Sequence, residues 1–109
     1  MTTASAWAEA QAAGSVVSPS LAEEGFIHCS TAEQVEATAN RIFRGRGDLL
    51  VLVVDADRLT APLKWERATD VGEDFPHVYG PIDVAAVVDV VAMPEGDEGY
   101  VLPAGLRGA

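Results

Sequence analysis

Apolar and polar positions change their period several times along this chain, and each change marks an element. Over residues 3–13, Thr3 stands at a cap position, Trp7 and several alanines offer a packing face, and Gly14 supplies a left-handed stop. That pattern predicts a short helix. Ser20 and Glu23 have capping-box spacing, but Gly25 arrives so soon that about one turn can form. Residues 26–29 then read as a short apolar strand, with Phe26, His28 and Ser30 on one face and Ile27 and Cys29 on the other. Ser30 and Glu33 form a second capping box, after which Ala32, Val35, Ala39, Ile42 and Phe43 recur at helical spacing until Gly45. Residues 49–54 are apolar without a break and rich in β-branched side chains. They predict a strand buried on both faces at the centre of a sheet.

Further on, residues 63–67 read as another short strand and 71–74 as an exposed acidic loop. Residues 75–81, with Pro76 and Pro81, read as a rigid loop, and 84–93 as a final strand or strand pair. Periodicity disappears from 94–109, which predicts a loosely ordered tail with at most one edge strand at 100–102. The expected architecture is one α+β domain over residues 1–93: a small, bent, mostly antiparallel sheet with two flanking helices.

Composition narrows the partners. A chain of 109 residues suits one compact domain, and 22% charged residues suit a folded one. No apolar run approaches the roughly 20 residues needed to cross a bilayer, and the first residues carry no basic segment, so the expected place is the cytoplasm with no membrane partner. Cys29 is the single cysteine, which removes disulfides and multi-cysteine zinc sites. Seventeen acidic against seven basic residues give a formal charge of −10, a field that repels phosphate backbones and argues against nucleic acid as a partner. Arg41, Arg44 and Arg46 cluster, either as a positive spot for a small anion or as complements to the negative end of the helix they close.

Candidate chemistry falls on three segments. His28 can donate or accept near neutral pH, or it can be a core histidine bonded to backbone. Ser30 and Thr31 open a helix whose free N–H groups suit an anion, or they simply cap it. Glu66, next to Trp65, can stabilise positive charge at a sugar carbon, or it can be a solvated carboxylate paired with Lys64 or Arg67. His77 and Tyr79 sit among turn residues that hold them in fixed directions, as a site or as packing. His28, His77 and Glu66 match no compact zinc spacing, so no metal is expected, and Cys29 with His77 is a nucleophilic pair in type alone.

The run from Ser20 to Thr31, with Gln34, Val35, Thr38, Ala39, Asn40, Arg41, Lys64, Trp65, Glu66 and the stretch 75–81, resembles the bacterial domain of unknown function 952 family across residues 4–91. That family is in turn distantly similar to the ADP-ribosyltransferase fold, especially the NAD-using RNA phosphotransferases, where a histidine strand leads into a helix and then an apolar strand ending in an acid. The resemblance implies NAD as cofactor, with His28 contacting it and Glu66 or His77 completing the cleft. It thereby implies His28, Glu66 and His77 as catalytic residues and Ser30, Thr31, Arg41, Trp65 and Tyr79 as ligand-binding ones. Family members begin with a further strand for which this sequence has no counterpart, so either the true start lies upstream or this copy has lost the strand and its activity. The expected function is a nucleotide-like, NAD-type cleft performing ADP-ribosyl or related glycosyl transfer. The alternative is a non-catalytic ligand-binding or interaction module, a truncated inactive copy.

Overall fold

In the computed structural model, which describes residues 1–97 and 99–101, the elements follow in this order. They are β1 (Thr2–Thr3), α1 (Ala4–Ala13), β2 (Ser15–Val16), α2 (Pro19–Glu24), β3 (Ile27–His28), α3 (Ala32–Ile42) and β4 (Leu49–Val54), then β5 (Leu63–Ala68), β6 (Glu73–Val78), β7 (Ile82–Asp83), β8 (Val87–Ala92), β9 (Glu95–Gly96) and β10 (Gly99–Tyr100). Short 3₁₀ turns occupy Ala56–Arg58 and Val84–Ala86. The class is α+β and every described strand pair is antiparallel, but the expected single bent sheet is divided. The orders are β1-β4-β8, β3-β6-β5, β2-β7 and the hairpin β9-β10. Three helices, not two, accompany them. Among the described residues no helix is long and apolar enough to cross a membrane.

Local signals explain the helices. Thr3 Oγ1 accepts from the Ala6 N–H at 3.2 Å, and Gly14, at φ 90°, closes α1 by donating to the Ala10 carbonyl. Pro19 opens α2, so Ser20 lies inside the helix and the capping box expected there does not form. The second box slides by one residue: Thr31 caps α3 and its N–H donates to Gln34 Oε1 at 3.1 Å. Val35 and Ala39 bury, whereas Ile42, expected in the core, is 57% exposed because it borders an open cavity.

The core has two parts. Val35 and Ala39 of α3 pack on Leu49, Val51, Met93 and Tyr100, and a second cluster joins Ile27, Val78, Ile82 and Ala86. The central place expected for β4 is observed, with β1 on one side and β8 on the other. Burial on both faces is not, since Leu52, Val53 and Val54 are half-buried beside the same cavity. The outer strand β8 presents Val88 and Val90 to solvent, and Asp89 between them accepts from the Val90 N–H at 2.8 Å.

Two loop expectations fail. Glu73 and Asp74 open β6 instead of lying in an acidic loop, so His77 is held by a strand ladder and not by a proline-bounded turn. The tail expectation fails for 95–101, where the hairpin is anchored by Tyr100, 2% exposed. Its hydroxyl donates to the Phe43 carbonyl at 2.6 Å, and Asn40 clasps its backbone N–H and carbonyl at 2.7 and 2.9 Å. The rest of that expectation, residues 102–109, lies outside the described residues.

Candidate functional site

Register brings the candidate groups together. His77 stands opposite His28 on β3 and opposite Lys64 on β5, forming one row across three strands. Opposed residues share a face, and so do residues two apart along a strand, which adds Phe26, Tyr79 and Glu66 to that face.

Glu66 is the hub. Its Oε1 accepts from His77 Nδ1 at 2.9 Å and from the Tyr79 hydroxyl through a short hydrogen bond. A carboxylate can only accept, so the neutral imidazole donates through Nδ1 and keeps Nε2 as an acceptor. Phe26 stacks on His77 with ring centroids 4.2 Å apart and planes 13° off parallel, and it meets Tyr79 at 5.2 Å. His28 stands edge-on to His77 at 5.0 Å. Its Nε2 donates to Glu24 Oε2 at 2.8 Å, because Gly25, in the left-handed conformation, turns β3 back beneath the end of α2. Lys64 Nζ lies 4.7 Å from the Tyr79 ring centre, a cation–π contact. The His77 side chain is 11% exposed, Glu66 39% and His28 54%, so the cluster opens to solvent at Glu66 and His28.

The hydrogen bond from Tyr79, followed by that from His77, holds the Glu66 carboxyl below its ordinary range, with the imidazole and ammonium charges adding less. The same bond to Glu66 pushes the Tyr79 phenol up. At neutral pH the hub is therefore an anion flanked by two donors.

The residues expected to bind cofactor divide. Tyr79 joins the hub, while Ser30, Thr31, Arg41 and Trp65 line an open cavity of about 1000 Å³ between β3 and β4, under α3. His28 and His77 border this cavity too, whereas Glu66 and Tyr79 do not. Trp65 alternates with Glu66 along β5 and so faces away from the hub. The expected arginine spot is neutralised: Arg41 pairs with Asp70 at 3.6 Å, Arg44 with Glu95 at 3.0 Å and Arg46 with Asp48 at 3.3 Å. Cys29 lines the cavity with its thiol pushed up by burial, on the strand face opposite His28, so no thiolate–imidazole pair with His77 is built.

Sequence reasoning passed over Phe26, Glu24 and Lys64 as members of the cluster. Phe26 had a signal in its alternation with His28. Glu24 had none, since its approach depends on the reversal at Gly25.

Comparison with known proteins follows the same segments. Residues 1–90 match the family described as Protein of unknown function (DUF952). The X-ray crystal structure of protein CC0527 from Caulobacter crescentus is 35% identical, covers 90% of this chain and 86% of its own, and superposes with a TM-score of 0.80. The solution NMR structure of CC0527 is likewise 35% identical, with 91% and 85% covered and a TM-score of 0.77. No curated protein matches the chain.

Proposed function

Because the chain belongs to the DUF952 family of proteins of unknown function, its own residues are the source for its activity, and we propose that the outer face of β3, β6 and β5 binds a nucleoside-type ligand and transfers its ribosyl group. One observation carries this reading: a carboxylate kept ionised by His77 and Tyr79 at the open edge of an aromatic cluster. An anion fixed there by two donors suits a positive charge developing at an anomeric carbon, and it does not suit proton donation. In the proposed step the bond from C1′ to the base nitrogen breaks, the base leaving with the electron pair. Water adds to C1′ and its proton passes to His77 Nε2. Phe26 and Tyr79 offer ring faces to the ligand, and His28 offers its free nitrogen to a sugar hydroxyl.

NAD fits this face in part. The hub suits its ribosyl portion, but Ser30, Thr31 and Arg41, which would meet its diphosphate, line the cavity on the other side, and Arg41 is engaged by Asp70. Asp55, the acid ending β4, accepts from the Asp57 N–H and pairs with Arg58, so it has no part in the step. An ADP-ribosyltransferase-like ancestry is supported by element order alone, with His28 leading into α3 and then β4.

The test is melting temperature with nicotinamide riboside, adenosine and NAD, followed by chromatography of the released base. A shift and release by the native chain, with release lost in Glu66→Gln while the shift persists, supports transfer. No shift with any of the three at millimolar concentration refutes it. A second reading, binding without turnover, is favoured by the modest cationic character of the face, where Lys64 is the ammonium beside the hub. It predicts a shift without base release.

A further inference from the structure

We propose that the cavity between β4 and β3 is an acceptor slot for an extended apolar peptide from a separate polypeptide, bound antiparallel to β4. The ladder from β1 to β4 ends at Thr2 opposite Leu50, so residues 51–54 have no strand partner on the β1 side among the described residues. Across the cavity β3 pairs with β6 alone, leaving its other edge without a strand as well. On that edge the Ile27 carbonyl accepts from the Cys29 thiol at 3.8 Å, a weak donor at long range. Two unpaired main-chain edges thus border one volume of about 1000 Å³.

Side chains set the chemistry of the occupant. Ile27, Cys29, Val35, Ile42, Val51 and Val53 make the walls apolar. An acyl chain or other apolar small molecule matches such walls but has no N–H or C=O for the two edges. An extended peptide supplies both, bonding to a strand on either side while its alternate side chains enter the cavity. Direction follows from continuity: a strand in line with β1 runs antiparallel to β4 and extends the register Thr2↔Leu50, so its next residues face 51–54. Leu52, Val53, Val54 and Ile42, half-buried or exposed at present, become covered when the slot is filled. The occupied slot would join β1-β4-β8 to β3-β6-β5 in one continuous sheet.

The experiment uses the chain as it exists and a capped hexapeptide alternating valine and threonine. Amide hydrogen exchange is followed with the peptide, with its analogue N-methylated at alternate residues, and with decanoate. Slowing of at least tenfold at residues 27–29 and 51–54 with the plain peptide, and none with the other two, is the expected result. Decanoate raising the melting temperature while the peptide protects no amide would make the cavity a small-molecule pocket and overturn the proposal. Protection of those amides that rises with protein concentration alone, with a dimer in sedimentation, would assign the slot to a second copy and overturn it equally. No change in those amides at millimolar peptide also overturns it. None of these readouts depends on Glu66, so they stand apart from the test of ribosyl transfer.

Discussion

Glu66 and His77 meet diagonally across β5 and β6, Oε1 accepting from Nδ1 at 2.9 Å although the residue directly opposite His77 is Lys64. A diagonal neighbour in an antiparallel pair lies within reach of a long side chain, so one register serves two contacts. Lys64 reaches outward over Tyr79, and Glu66 reaches inward to the imidazole. A slip of one residue in β5 would turn both to the opposite face and dissolve the hub.

Replacing Glu66 by Gln keeps the size and removes the charge. The amide no longer fixes His77 as the Nδ1–H tautomer, and base release falls by about 10²–10³-fold, the usual cost of losing one preorganised electrostatic group. Nitrogen chemical shifts of the His77 ring check the tautomer, and chromatography checks the release.

The hub also predicts a pH profile. Glu66 titrates below its ordinary 4.5 in the folded chain, so its contribution to stability is full above that value and is lost as pH falls through the lower folded one. Tyr79 titrates above its ordinary 10.0, so its contribution is full below that value and is lost as pH rises through the higher folded one. Urea denaturation of the native chain and of Tyr79→Phe should therefore differ by a constant amount between those limits, with the difference shrinking outside them. A difference that is flat across the whole range would contradict the assignment.

Tyr100 should be a stability residue. Tyr100→Phe leaves the Phe43 carbonyl without its donor and costs about 1 kcal/mol, while Tyr100→Ala also opens a cavity and costs about 3–5 kcal/mol. Denaturant midpoints measured at constant slope separate the two.

Glu24 should act through His28 on the proposed reaction. Glu24→Ala frees the ring to rotate, and its effect should appear in the pH dependence of base release more than in the melting temperature, because both side chains are about half exposed. An unchanged pH profile would show that the contact is incidental.

Much of this was legible in the sequence wherever signals are local. Gly14 and Gly25 marked the stops of α1 and α2, and the unbroken apolar run placed β4 at the centre. Convergence of His28, Glu66, His77 and Tyr79 on one face followed once β3, β5 and β6 paired in the observed register. What stayed hidden depends on distant partners. Nothing near Tyr100 announces that Asn40, sixty residues earlier, will clasp its backbone, so the hairpin at β9 and β10 read as loose chain. Trp65 was paired with Glu66 by adjacency, yet the period of two along β5 sends it to the cavity side. Arg41 looked available until α3 came beside Asp70.

The free margin of β8 would be a hazard for neighbouring molecules if it were valine alone. Asp89 blunts it twice, by setting a negative charge between Val88 and Val90 and by using the Val90 N–H that an intruding strand would otherwise take. One side chain thus acts as a gatekeeper against stacking of one molecule on the next, and Asp89→Val is the change expected to turn a dispersed protein into a precipitating one while the fold persists.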